Sequence, residues 1–161
     1  MKDSSTFALS LPPAQRVREE DEARISNQTA YKILLADDDP GVSRTLAMVL
    51  ASAGYDVSIA RHAIDAIFHL HASVPDLIIY ELNLPAPPGY DLLSVIRSRY
   101  PQISIIGMSS SPMMDGSVPD GASADAMYIK GQSHPEELLD QVAVLIQTSA
   151  ARAVERQKDG C

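Results

Sequence analysis

From Tyr31 onward, short apolar runs alternate with amphipathic stretches, the rhythm of a chain that folds strand, helix, strand. Lys32 to Ala36 is a continuous apolar run leading into three acids, Asp37, Asp38 and Asp39, and predicts a buried parallel strand with polar chemistry at its carboxyl end. Val42, Leu46, Val49, Leu50 and Ala53 then share one helical stripe, closed by Gly54 at a C-cap position. Tyr55 to Ala60 predicts a second strand. Ala63 to Ala72 predicts a helix with Ile64, Ile67, Phe68 and His71 on one side, ended by Pro75. Leu77 to Tyr80 predicts the third strand. Gly89 to Tyr100 predicts a helix with Leu92, Leu93 and Ile96 together, stopped by Pro101, and Ile103 to Met108 a fourth strand. Between Ser109 and Ala124 any helix is broken by Pro112, Gly116, Pro119 and Gly121, so the fourth helix should be short or irregular. Ala126 to Ile129 predicts the fifth strand. Pro135 opens the last helix, with Leu138, Leu139, Val142, Leu145 and Ile146 on its buried face.

This pattern divides the chain into a charged segment over 1–30 without an apolar face, expected to be disordered, a folded domain over 31–147, and a tail over 148–161 that favours helix, loses its stripe and should fray. The 161 residues, 45% hydrophobic, suit one core. A net charge of -8 removes the broad attraction to phosphate backbones that nucleic-acid binding relies on. No apolar run approaches the roughly 20 residues of a membrane span, and Met1 to Pro13 lacks the form of a secretory signal, so a cytoplasmic protein is expected. The one cysteine, Cys161, excludes an internal disulfide.

In an open parallel sheet the functional crevice lies outside the carboxyl ends of the strands. The residues expected there are Asp37, Asp38 and Asp39 after the first strand, Glu81 and Asn83 after the third, Ser109 and Ser110 after the fourth, and Lys130 after the fifth. Such oxygen donors suit a hydrated divalent cation, with magnesium favoured. Each residue has a plainer role open to it: the three acids as helix caps, Glu81 as a solvent-facing turn residue, Lys130 as an ordinary surface lysine. His62, His69, His71 and His134 form no evident metal set and are expected at the surface.

Several of these segments, in this order and spacing, resemble the receiver domain of two-component response regulators: KILLADDDP its first strand and acidic pair, PDLIIYELNLP its third strand and phosphorylation loop, Ile105 to Ser110 its switch-hydroxyl strand, and ADAMYIKG its lysine strand. The resemblance implies a doubly wound, flavodoxin-like α/β fold with a five-stranded parallel sheet ordered 2-1-3-4-5, a magnesium ion, and phosphoryl transfer from a histidine kinase. It aligns Asp37 and Asp38 with the metal-binding acids, Asn83 with the backbone carbonyl ligand, Ser109 with the switch hydroxyl and Lys130 with the phosphoryl-contacting lysine. Glu81 stands where the family has its phosphoacceptor aspartate. Met127 replaces a common aromatic and Gly131 a common proline, while Met108, Met113, Met114 and Met127 suit either core filling or an adaptable partner surface.

These departures lead to the expectation of a stand-alone pseudo-receiver that acts through protein contacts, with a kinase or a downstream signalling protein as partner, and is not an enzyme. A conventional magnesium-dependent phosphoacceptor is the alternative. From another class, a haloacid-dehalogenase-like phosphatase draws only on the Asp37 to Asp39 spacing.

Overall fold

The computed structural model describes residues 30–110 and 124–160. The expected disorder at the N-terminus, the irregular fourth helix, Met113, Met114 and Cys161 all fall outside these residues. Five strands, β1 (Lys32–Ala36), β2 (Asp56–Ala60), β3 (Leu77–Glu81), β4 (Ser104–Ser109) and β5 (Ala126–Ile129), form one parallel sheet in the order β2-β1-β3-β4-β5. The described helices are α1 (Pro40–Ser52), α2 (Ala63–Ala72), α3 (Leu92–Arg99) and α4 (Pro135–Asp159). The doubly wound, flavodoxin-like architecture is therefore present.

Both faces of the central strands are covered, which is why β1 and β3 read as unbroken apolar runs, whereas the edge strand β2 (DVSIA) alternates and is largely exposed. Leu34, Ala36, Ile78 and Ile105 point toward α2 and α3 and pack with Leu70, Leu92 and Ile96. Ile33, Leu35, Ile79 and Ile106 point the other way and pack with Leu46, Leu50, Leu138, Val142 and Ile146 of α1 and α4. Successive residues of a strand thus feed two different cores, as a period of two requires.

Three sequence expectations need correction. On α2 the buried side is Ala63, Ala66 and Leu70; Ile64 and His71 are exposed and Phe68 is 70% exposed. The small alanines turn toward the sheet with Leu70, Ile67 is half-buried against the same core, and Ile64 and Phe68 face outward. Helix α3 starts at Leu92 rather than near Gly89, because the Asp91 carboxylate accepts from the Leu93 and Ser94 amides and sets the N-cap there. On α1, Ala53 is the exposed C-cap residue, while Ser43 takes a buried position. Helix α4 runs unbroken to Asp159, and residues 150–160 are exposed.

Candidate functional site

The parallel sheet places the ends of β1, β3, β4 and β5 along one edge, and the residues following them meet there. Asp37, directly after β1, is fully buried; its amide donates to the Ala60 carbonyl (2.9 Å), continuing the β1–β2 ladder by one residue. Its Oδ1 accepts from the Asp39 amide (2.8 Å). Asp39 in turn caps α1, its Oδ1 accepting from the amides of Gly41 (2.8 Å) and Val42 (3.1 Å). Buried Ser43 locks this turn by donating its hydroxyl to the carbonyls of Asp39 (2.7 Å) and Asp37 (3.2 Å). Asp38 is exposed.

Glu81 ends β3 and is 4% exposed; its Oε1 accepts from the Asn83 amide (3.2 Å). Lys130 follows β5, and its amide donates to the Ser109 carbonyl (2.8 Å), fixing it beside the end of β4. From there Nζ reaches Asp37 Oδ2 at 2.6 Å and also contacts Glu81 Oε2. These two buried oxygens have no other partner among the described residues. Burial pulls the ammonium pKa down, but hydrogen bonding to Asp37 and Glu81 and their Coulombic attraction outweigh it, so Lys130 is held above its ordinary value. The pocket thus holds two acidic side chains bridged by one ammonium.

The structure brings together Asp37, Glu81 and Lys130, with Ser109 at the neighbouring strand end. It leaves Asp38 and Asn83 exposed. All four oxygens of the two buried carboxylates are committed to protein donors, two of them to Lys130. In this arrangement a magnesium ion held by Asp37 and Glu81 would have to displace Lys130 from them.

Met127 is half-buried on β5; its carbonyl accepts from the Gln141 side-chain amide (2.8 Å), tying β5 to α4. Its side chain lies over Gly107 of β4, where an added Cβ would stand 2.7 Å from the Met127 sulfur and 3.4 Å from Leu82. Gly107 therefore makes the room that Met127 fills. The sequence reading passed over it, although a glycine within an apolar strand run often marks a close approach. Ser43 was also passed over, and no pattern of hydrophobicity singles it out. Gly131 adopts φ +77°, a conformation closed to proline, so the turn after Lys130 differs in shape from one built on proline. The four histidines do not gather: His62 caps α2 by accepting from the Asp65 amide, and His69 lies 3.9 Å from Asp65.

Residues 33–143 match the family model described as the response regulator receiver domain. Among curated proteins, the chain is similar to the response regulator protein FleR of Pseudomonas aeruginosa, 30% identical over 114 residues, 71% of this chain and 24% of the relative. It is also similar to the DNA-binding transcriptional regulator NtrC of Rhizobium meliloti, 33% identical over 82 residues, 51% of this chain and 17% of the relative. The chain thus spans less than a quarter of either relative. Among solved structures, a CheY-like receiver domain protein from Methanospirillum hungatei superimposes with a TM-score of 0.68 at 24% identity, covering 77% of this chain and 99% of that one. A response regulator structure from Chloroflexus aurantiacus gives 0.65 at 26% identity, with 74% and 99% covered. Among the described residues no helix is long and apolar enough to cross a membrane.

Proposed function

The chain belongs to the response regulator receiver domain family, a signalling module of two-component systems, and from that premise we propose that it signals through protein contacts with its phosphorylation pocket closed by an internal ion bridge. The observation that carries this reading is Lys130 held between Asp37 and Glu81. In a working receiver the acceptor carboxylate must be free to attack a phosphoryl group. Here Glu81 sits at the acceptor position with one oxygen on the Asn83 amide and the other on Lys130. Its extra methylene also displaces the carboxylate by about 1 Å from where an aspartate would hold it, enough to cost on the order of 100-fold in transfer rate.

The same contact supports a signalling state set without phosphate. Glu81 gives Lys130 an anionic partner permanently, though with about one negative charge rather than the nearly two of a phosphoryl group. Ser109, Met127 and the turn at Gly131 would then hold one arrangement and present it to a histidine kinase or a downstream signalling protein. Against the phosphatase reading, Asp39 Oδ1 is spent on capping α1.

Incubation of wild type and Glu81→Asp with magnesium and acetyl phosphate, followed by intact-mass analysis, tests the proposal. Wild type should stay unmodified and Glu81→Asp should gain one phosphoryl group. Labelling of wild type in the pocket would overturn the proposal and restore the conventional phosphoacceptor.

A further inference from the structure

At the opposite edge of the sheet, where the amino ends of β4 and β5 meet α3 and the second half of α4, lies a cavity of about 130 Å³. Arg97 of α3, Arg152 and Arg156 of α4, and the serines 104 and 149 all line it. The only carboxylate in its wall is Asp125, which is already engaged: its Oδ2 accepts from the Ile105 amide (2.7 Å) and pairs with Arg97 (3.2 Å). Three arginines and one carboxylate therefore line the cavity, a local reversal of sign in a chain of net charge -8.

Arg152 and Arg156 are one helical turn apart and so project from the same face of α4. Among the described residues neither is ion-paired or hydrogen-bonded through its side chain. Like charges at this spacing repel each other, and nothing in the cavity wall offsets them. Complementing the helix C-terminus accounts for Arg156, which shares the last turn with Lys158, but not for Arg152, which stands outside that turn. The wall also holds a rigid hydroxyl pair, Ser104 Oγ and Ser149 Oγ, 2.7 Å apart. Only one of their two protons is used between them, which leaves the other to be donated. The cavity is thus rich in donors and poor in acceptors.

We propose that this cavity binds a small tetrahedral oxyanion of the phosphate class, held by the guanidinium forks of Arg152 and Arg156 with Arg97 and the serine pair beside them. Several divergent donors suit an anion with oxygens pointing in several directions better than a planar carboxylate, and guanidinium groups bind such oxygens in pairs. The volume holds a few water molecules, hence room for one phosphate group. An occupant would bridge α4 to α3 and the edge of β4, so its binding would fix the exposed second half of α4 against the domain. The site lies at the far edge of the sheet from Lys130 and does not depend on the reading of the pocket there.

The test uses the full chain labelled with ¹⁵N and follows the arginine Nε–Hε signals while inorganic phosphate replaces chloride at constant ionic strength and pH. Saturable shifts of Arg152, Arg156 and the Ser104 amide are expected, with a dissociation constant on the order of 1 mM, weakened about tenfold or more in Arg152→Gln/Arg156→Gln. Both side chains are exposed, so an otherwise unchanged amide spectrum will show that the double variant is folded. Ribose 5-phosphate in place of phosphate separates the sources: tighter binding identifies a phosphate monoester as occupant, equal or weaker binding the free anion. The proposal is overturned if the shifts fail to saturate, if they persist in the double variant, or if a glutamate-rich peptide saturates the same signals more tightly than either phosphate.

Discussion

At Lys130 a single ammonium compensates two buried carboxylates, and the balance is asymmetric: removing it leaves both acids facing each other without solvent. Lys130→Met keeps most of the stem volume and deletes only the charge, so urea unfolding near neutral pH should show a loss of about 3–5 kcal/mol, the range for breaking a buried pair. A loss under about 1 kcal/mol would mean that the bridge is no stronger than a surface contact. The pH dependence has a definite sign. Lys130 in the folded chain is raised above its ordinary 10.5, so its contribution is complete below that pH and disappears as pH climbs through the folded value. Tyr80 and Tyr128 are also raised above 10.0, in their case by burial, and their contribution is lost in the same direction. Wild type should therefore weaken above about pH 10 more steeply than Lys130→Met, which retains only the tyrosine part. Of the site, Asp37, Glu81 and Lys130 were legible in the sequence because each follows an apolar run that had to be a strand. The exposure of Asp38, the locking role of Ser43 and the space above Gly107 were not legible, since each depends on which way a loop or side chain turns once the strands are in place.

At the scale of the elements, the helix faces were harder to read than the strands. The α2 stripe of Ile64, Ile67 and Phe68 is a good amphipathic pattern, yet close packing on the sheet selects Ala63 and Ala66 for the inner side, keeps Ile67 half-buried beside them and leaves Ile64 and Phe68 exposed. Hydrophobicity alone does not say how near a helix must approach. Helix starts, by contrast, are decided by local hydrogen bonding, and α3 gives a direct test. Ser94 donates its hydroxyl to Asp91 (2.6 Å), the largest cause of a carboxyl held below its ordinary 3.8, with the Ser94 and Leu93 amides adding to it. A depressed acid stabilises the fold above its unfolded value and loses that contribution as pH falls through the folded one. Asp91→Ala should cost about 1 kcal/mol near neutral pH. Asp91→Asn should keep most of the cap while flattening the decline on acidification below 3.8. Equal acid sensitivity of Asp91→Asn and wild type, measured by urea midpoints, would show that the cap charge is immaterial.

Across the whole molecule, the parallel sheet separates two charged sites by the length of its strands: an ion bridge that is already complete at the carboxyl edge and an arginine-lined cavity with unused donors at the amino edge. The fold class was legible from the alternation of elements, whereas the order β2-β1-β3-β4-β5 came only through the family resemblance, because hydrophobic periodicity carries no information on which strands are neighbours. The arginine cavity escaped notice altogether, its residues lying on α3 and on the part of α4 where the apolar stripe fades. The ion bridge has a further consequence, in time rather than in energy. Asp37, Glu81 and Lys130 lie at the ends of three strands spread over most of the folded chain, so the bridge can close only after the sheet has assembled through its longest loops. Contacts absent from the folding transition state act on the rate of escape from the native state. Lys130→Met should therefore fold at nearly the wild-type rate and unfold faster by almost the whole of its destabilisation, with a φ-value near 0 in a stopped-flow chevron. A φ-value near 1 would instead place this charged edge among the first parts of the sheet to form.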